Sequence, residues 1–394
     1  MAERKILPGM LFRTPELQDD ELQVVARIDR IREALRHQLP EQRRWVGFLR
    51  RVMLARAIQG SNSIEGYDVS LDNAFAAVAG EPPLDANEEA WMAVVGYRNA
   101  MTYVLQLADD AHFTYDENLV RSLHYMMLSY ALDKSPGRWR PGSVYVLDET
   151  TKEIVYTGPN AIQVPDLMAG LLEDLRGENH FPPIVRAAMA HLNLVMIHPF
   201  RDGNGRMARC LQTLVLAREG IISAPFVSIE EYLGANTESY YRALAEVGQG
   251  AWHPERDARP WLRFVLTGHY RQAQTMVRRA EEAERRWSVL TDEVERSGLA
   301  ERTIAALFNA SMRFRIRNAD YREAAGVSDH IASRDLKALV DTGLLEPQGE
   351  RRGRFYIATE RLLLMGESIR KTRGPIEDPF EGPFEGPFDQ TPGL

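Results

Sequence analysis

The residues most able to do chemistry sit in one stretch of this 394-residue chain, His198-Pro-Phe-Arg-Asp-Gly-Asn-Gly-Arg-Met-Ala-Arg209. Gly203 and Gly205 bracket Asn204 and reach backbone angles closed to other residues. The amides of such a loop can turn inward as an anion-binding nest. A helix is expected directly after it, and its free N–H groups and dipole favour a phosphate at that end. Arg206 and Arg209 are three apart and share a face of the first turn, where each can fork onto phosphate oxygens. Asp202 precedes the nest, and magnesium prefers a carboxylate combined with substrate phosphates. His198 ends an otherwise apolar helical stretch (Ala190, Leu192, Leu194, Ile197) and can accept a proton near neutral pH. Base, metal ligand, nest and two arginines together imply phosphoryl or nucleotidyl transfer.

This stretch resembles the signature of the Fic family, His-x-Phe-x-Asp/Glu-Gly-Asn-Gly-Arg-x-x-Arg. All eight specified positions match: His198, Phe200, Asp202, Gly203, Asn204, Gly205, Arg206 and Arg209. The resemblance implies a protein adenylyltransferase that moves AMP from ATP to a Ser, Thr or Tyr hydroxyl of a protein target, the chain itself included. It implies His198 as the base, Asp202 as the magnesium ligand, and Gly203, Asn204, Gly205 and Arg206 around the α- and β-phosphates. Arg209 would hold the γ-phosphate, while Phe200 packs under the loop. A second stretch, Ser61-Asn-Ser-Ile-Glu65-Gly66, looks like the inhibitory motif of the family, Ser/Thr-x-x-x-Glu-Gly/Asn. Locally, Gly60 is expected to end a helix, Ser61 to cap a new single turn, and Gly66 to close it in the left-handed conformation. Glu65 would then pair with Arg209 and keep the γ-phosphate from seating. Tyr240-Tyr241-x-x-Leu244 resembles a segment near the adenine, with Tyr241 as the nucleotide contact. A core role for either tyrosine is equally open, and the polar partner of that segment is missing where Val247-Gly248-Gln249 stands.

These residues need a frame. Helical spacing covers residues 16–58, 87–108, 119–131, 164–175, 183–197 and 257–296. The β-rich runs 143–147 and 153–157 read as a hairpin turning at 148–152. It stands where the resemblance places a flap that would pair with an extended target segment by strand addition. Residues 302–360 follow the order helix, helix, helix, hairpin of a winged helix-turn-helix. Ser328 is expected to cap its second helix, with Arg334 and Lys337 on the exposed face and Arg351, Arg352 and Arg354 on the wing. The expected fold is mainly α: an N-terminal helical region with the inhibitory turn (1–90), a Fic-type core with a β-hairpin flap (91–270), a connector helix (271–300), a winged helix (301–365) and a disordered acidic tail (366–394).

The formal net charge is −8, which argues against coating nucleic acid by bulk charge. From 311 to 355 there are nine Lys/Arg against seven Asp/Glu, so a DNA contact through 301–365 and a protein-binding or dimerising role both stay open. The single cysteine, Cys210, excludes an internal disulfide and a cysteine-based zinc site and points to a cytoplasmic chain. No signal peptide and no run long enough for a bilayer are seen. The remaining histidines show no ligand-like clustering. Two alternatives to adenylyl transfer are carried forward: a DNA-binding regulator or toxin–antitoxin element with subordinate Fic chemistry, and a Fic core that moves UMP, phosphate or a phosphodiester head group.

Overall fold

A computed structural model describes residues 11–39, 43–147, 153–177, 180–218, 220, 224–350, 353–367, 375–376 and 378–381. The expected hairpin turn at 148–152, Arg351 and Arg352 of the expected wing, and residues 382–394 of the tail lie outside the described residues. The helices are α1 (Asp19–Gln38), α2 (Arg44–Ser63), α3 (Leu71–Ala79), α4 (Glu88–Leu107), α5 (Glu117–Leu128), α6 (Val164–Arg176), α7 (Pro183–Ile197) and α8 (Asn204–Arg218). They continue with α9 (Ala224–Val227), α10 (Glu230–Ala235), α11 (Thr237–Gly248), α12 (Arg259–Arg296), α13 (Ile304–Ser311), α14 (Asn318–Ala325), α15 (Asp329–Asp341) and α16 (Glu360–Glu367). The strands are β1 (Tyr145–Leu147), β2 (Ile154–Thr157), β3 (Ile316–Arg317), β4 (Leu345–Gln348) and β5 (Phe355–Ala358). No described helix is long and apolar enough to cross a membrane.

The chain divides into two compact units. The first draws on Met1–Ala34, Met53–Gln274 and Glu377–Leu394, the second on Leu35–Val52 and Thr275–Ile376. In the first unit, α7 and α8 are buried on nearly every face and pack on each other. α7 is largely apolar, as suits an interior helix, and α4, α5 and α6 pack around this pair. The hairpin expected at 143–157 is present: β1 and β2 are antiparallel, with Tyr145 opposite Thr157.

Gly60 does not end a helix, contrary to the sequence reading. It lies inside α2, which runs on to Ser63, so Ser61 caps nothing. The reason is close packing: a methyl group at Gly60 would sit 2.5 Å from the Glu230 carbonyl oxygen, and one at Gly234 would sit 2.7 Å from the Gly60 Cα. Two glycines facing each other let the α2 and α10 backbones touch. Arg56 of α2 adds an ion pair to Glu231 at 2.9 Å. The helix closes at Gly66, whose φ of +79° is the left-handed conformation expected there.

In the second unit α13, α14 and α15 accompany an antiparallel sheet in the order β3-β5-β4. Ser328 Oγ accepts from the Ile331 N–H at the start of α15, and the preceding Gly326 is left-handed at φ +63°. Arg334, Lys337 and Arg354 are exposed. Buried Asp335 accepts from Arg302 through both oxygens, at 2.6 and 2.9 Å, and from the Tyr321 hydroxyl at 2.9 Å. The tail reading also meets a difference in the first unit. Pro379 is buried, Phe380 lies under the Arg263 guanidinium at 4.1 Å, and Asp378 faces Arg271 at 3.5 Å. Stacking a guanidinium on an aromatic ring is enough to seat these residues despite their Pro-rich, acidic composition.

Candidate active site

The site is built at the junction of α7 and α8. His198 is the first residue past α7, with φ +51°, and its N–H bonds to the Leu194 carbonyl. Its Nδ1 lies 3.2 Å from the Val195 carbonyl. A carbonyl only accepts, so Nδ1 carries the proton and Nε2 is the basic nitrogen. Burial pushes the imidazole pKa down to about 4; Arg140 acts the same way, against the Val195 carbonyl, Glu65 and Asp202. The ring is therefore neutral at pH 7 and able to accept a proton.

Asn204 clamps the loop. Its Oδ1 accepts from the Phe200 N–H at 2.8 Å and its Nδ2 donates to the Phe200 carbonyl at 3.0 Å. Phe200 is fully buried, stacked on His124 at 3.6 Å with the rings 3° from parallel. His124 Nδ1 accepts from the Gly137 N–H at 2.9 Å, so its Nε2 must donate to the Asp202 carbonyl, 2.8 Å away. Burial pushes its pKa down to about 4, keeping the ring in that neutral form. Gly203 takes φ +73°, and a methyl group there would meet Leu128 Cδ1 at 2.6 Å. Asp202 Oδ1 accepts from the Gly203 N–H at 2.6 Å, while Oδ2 faces Lys134 Nζ at 3.4 Å.

Arg206 and Arg209 are each only 1% exposed. Arg209 donates Nε to Ser61 Oγ, Nη2 to the Ser61 carbonyl and Nη2 to Glu65 Oε1, at 2.8, 2.8 and 2.7 Å. Burial opposes its charge, but Glu65, with Tyr240 and Tyr97, outweighs that and raises the pKa. The same contest, with Glu65 and Tyr130 against burial, raises that of Arg206. The Arg206 guanidinium lies over the Tyr67 ring at 5.1 Å. Among the described residues, Arg206 Nε and Nη1 and Arg209 Nη1 are buried without a hydrogen-bond partner. A methyl group at Gly205 would lie 2.5 Å from Glu65 Oε1, so the carboxylate sits against the first turn of α8. Buried cationic donors left unmet at a helix N-terminus, with one carboxylate against them, form an anion site.

The structure thus brings His198, Asp202, Gly203, Asn204, Gly205, Arg206, Arg209, Ser61, Glu65 and Gly66 into one neighbourhood. Tyr241 is half exposed, and its hydroxyl donates to the Ile64 carbonyl at 3.3 Å, next to Glu65. Tyr240 is buried. For a metal, no group of three or more His, Cys, Asp or Glu side chains is gathered among the described residues. Asp202, with its side chain 32% exposed, offers one carboxylate, which suits magnesium only when phosphates and water complete the shell.

Sequence reasoning missed Arg140. Its Nε donates to the His198 carbonyl at 2.8 Å, Nη1 to Gly142 and Nη2 to Pro159, both at 2.6 Å. It ties the base of the hairpin to His198. Tyr156 adds a second tie, its hydroxyl donating to the Met196 carbonyl at 2.8 Å. The clue was an arginine beside a tryptophan just before the hairpin, a signal too common to single out. His124 stands among the histidines without ligand-like clustering, and periodicity gives no hint of its partner 78 positions away.

Residues 114–216 match the family model described as Fic/DOC family. The protein adenylyltransferase Fic of Nematostella vectensis is 31% identical over 219 residues, 53% of this chain and 45% of that protein. The protein adenylyltransferase fic-1 of Caenorhabditis elegans is 28% identical over 212 residues, 53% of this chain and 37% of that protein. The chain therefore spans less than half the length of these curated relatives. The crystal structure of a Fic family protein from Desulfovibrio desulfuricans G20 superimposes with a TM-score of 0.57 at 24% identity, over 88% of this chain and 98% of that one, a likeness of fold. Through residues 114–216, which include the whole loop from His198 to Arg209, the chain carries a Fic/DOC family domain.

Proposed function

We propose that the chain is a protein adenylyltransferase held in check by Glu65. The carrying observation is the set of buried guanidinium nitrogens without partners, Arg206 Nε and Nη1 and Arg209 Nη1, at the N-terminus of α8. Such donors suit a polyphosphate, and the names of the curated relatives support ATP as its source.

In this reading His198 Nε2 takes the proton of a Ser, Thr or Tyr hydroxyl. The freed oxygen attacks the α-phosphorus, the new P–O bond forms, and the bond to the bridging oxygen breaks. Pyrophosphate leaves with that electron pair. Asp202 would hold magnesium, which supplies positive charge against the phosphates when bound. The Gly203–Gly205 amides and Arg206 would bind the inner phosphates and Arg209 the outermost one. The hairpin presents exposed Tyr145, Ile154 and Val155, which suit an extended segment of the target. Glu65, bonded to Arg209, occupies the place of the γ-phosphate, and its carboxylate lies against the turn that would receive the others.

The test is transfer of label from α-labelled ATP with magnesium to a lysate protein or to the chain itself. Glu65→Gly is expected to raise labelling at least tenfold, and Glu65→Gly combined with His198→Ala to abolish it. No gain from Glu65→Gly contradicts the inhibitory assignment. Label arriving from γ-labelled ATP, or from UTP in preference, would redirect the reading to another transferred group.

A second reading concerns the second unit. A cavity of about 500 Å³ is lined by Arg317, Arg322 and Arg354 with Asn318, Ala319, Asp329, Ser333 and Tyr356, so its three arginines meet one carboxylate. Beside exposed Arg334 and Lys337, it supports a winged helix that contacts DNA. The full chain should then retard one DNA sequence over competitor; a purely salt-dependent, sequence-blind shift counts against it.

A further inference from the structure

The turn that carries Glu65 lays a second side chain on the anion site. Asn62 is buried in the last turn of α2, where its Nδ2 donates to the Ile58 carbonyl at 2.8 Å. Its own carbonyl accepts from the N–H groups of Glu65 and Tyr67, both at 3.0 Å. One anchored carbonyl thus holds both residues, and Gly66 turns the chain between them at φ +79°. Glu65 Oε1 then meets Arg209 Nη2 at 2.7 Å, and the centre of the Tyr67 ring lies 5.1 Å from the Arg206 guanidinium carbon. Arg206 and Arg209 stand three apart on α8, and each receives one residue of the turn.

The two contacts use a guanidinium differently. Glu65 takes an N–H of Arg209, a donor that a phosphate would need. A guanidinium carries its five N–H groups in its own plane, at the edge. An aromatic ring attracts the cation through its π face instead, so the contact with Tyr67 consumes no donor. Among the described residues, Arg206 Nε and Nη1 are buried with no hydrogen-bond partner, as such a contact leaves them. Arg206 is only 1% exposed, and a desolvated cation is held more strongly by a ring than one in water. A side chain already held in place also loses less rotamer freedom when an anion arrives.

We propose that Tyr67 is a positioning residue for the inner phosphates of the nucleotide, its ring holding Arg206 so that Nε and Nη1 stay free for them. The turn after α2 then has two opposed effects. Glu65 keeps the outermost phosphate out, while Tyr67 prepares the place of the inner ones. Removing the Glu65 carboxylate with the turn kept in place therefore gives a better site than removing both side chains. The inference rests on the nucleotide reading of the site.

The test measures binding of ADP and of a non-hydrolysable ATP analogue, each with magnesium, by calorimetry in the full-length Glu65→Gly protein. Tyr67→Leu should weaken both by the same factor, roughly tenfold, because both carry the inner phosphates. Tyr67→Phe keeps the ring and should stay within about twofold of the parent. Tyr67→pentafluorophenylalanine nearly keeps the shape of Tyr67→Phe but reverses the charge of the ring face, and should lose about as much as Tyr67→Leu. Affinity in the fluorinated variant equal to that of Tyr67→Phe overturns the inference, since packing alone would then account for the ring. Tighter binding in Tyr67→Leu also overturns it, because the ring would then obstruct the site as Glu65 does. So does a loss confined to the ATP analogue. If Tyr67→Leu does not fold, the fluorinated ring decides. Failure of the Glu65→Gly parent to bind either nucleotide overturns the nucleotide reading, and this inference with it.

Discussion

Arg209 has a side chain with no solvent exposure, set against a Glu65 side chain that is 21% exposed. Breaking a buried pair from one side strands the other charge. Glu65→Gly should therefore lose about 3 kcal/mol of stability in urea, even as transfer rises. Saturating ATP with magnesium should return more stability to Glu65→Gly than to the parent, because the phosphate replaces the lost partner. Equal stabilisation of both would contradict the shared position of carboxylate and phosphate. The base makes a second prediction. With its pKa near 4, His198 is unprotonated throughout the neutral range. The labelling rate of Glu65→Gly should be level from about pH 6 to 8 and fall only toward about pH 4. A midpoint near the ordinary histidine value would show that the imidazole is solvated in the working enzyme. At this scale the sequence was informative: the residue types and spacing of the loop mark the side chains that the fold gathers at the start of α8. What they concealed is how Asn204 acts, since its side chain is spent on both Phe200 backbone groups and only its backbone remains for an anion.

Between α2 and α10 the backbone contact at Gly60 and Gly234 fixes the segment that carries Glu65. Gly60→Ala would drive a methyl group into the Glu230 carbonyl at 2.5 Å. Overpacking against backbone costs about 1–3 kcal/mol. The shift should also loosen the Glu65 turn, so basal labelling rises without any change to Glu65 itself. Stability lost with no rise in labelling would mean that the turn is held from elsewhere. Element existence was largely readable, because α4, α6, α7 and α12 carry clear helical spacing and the runs that form β1 and β2 are short and β-rich. Gly60 was misread because a glycine that permits contact looks, in one dimension, like a glycine that ends a helix. Ser61 was misread with it. Its Oγ bonds Arg209, 148 positions away, and no local pattern carries that information. Arg140 escaped for the same reason, since its carbonyl partners at Pro159 and His198 are brought near only by the fold.

Across the first unit, burial of neutral histidines links stability to pH. His191 is fully enclosed, and burial pushes its pKa from 6.5 down to about 3. The unfolded chain then binds the proton that the folded chain refuses, so stability rises with pH through this window and falls as pH drops below 6.5 toward 3. Each such histidine contributes about 1.4 kcal/mol per pH unit. Urea midpoints should therefore decrease steeply between about pH 6.5 and 5, and a level curve would mean that these rings are hydrated. The sequence reading set a second helical module after the loop from His198 to Arg209, and α13, α14 and α15 follow that loop in the chain. It did not show that 35–52 associates with the second unit, because amphipathic spacing marks a buried face without naming what buries it.

The account stands on the orientation of a triphosphate at the start of α8. Its most direct test is a crystal structure of the Glu65→Gly protein with a non-hydrolysable ATP analogue and magnesium. The account predicts the α-phosphorus facing His198 Nε2, the inner phosphates on the Gly203–Gly205 amides and Arg206, and the terminal phosphate on Arg209. A nucleotide bound elsewhere, or one whose terminal phosphate faces His198 instead, would contradict it.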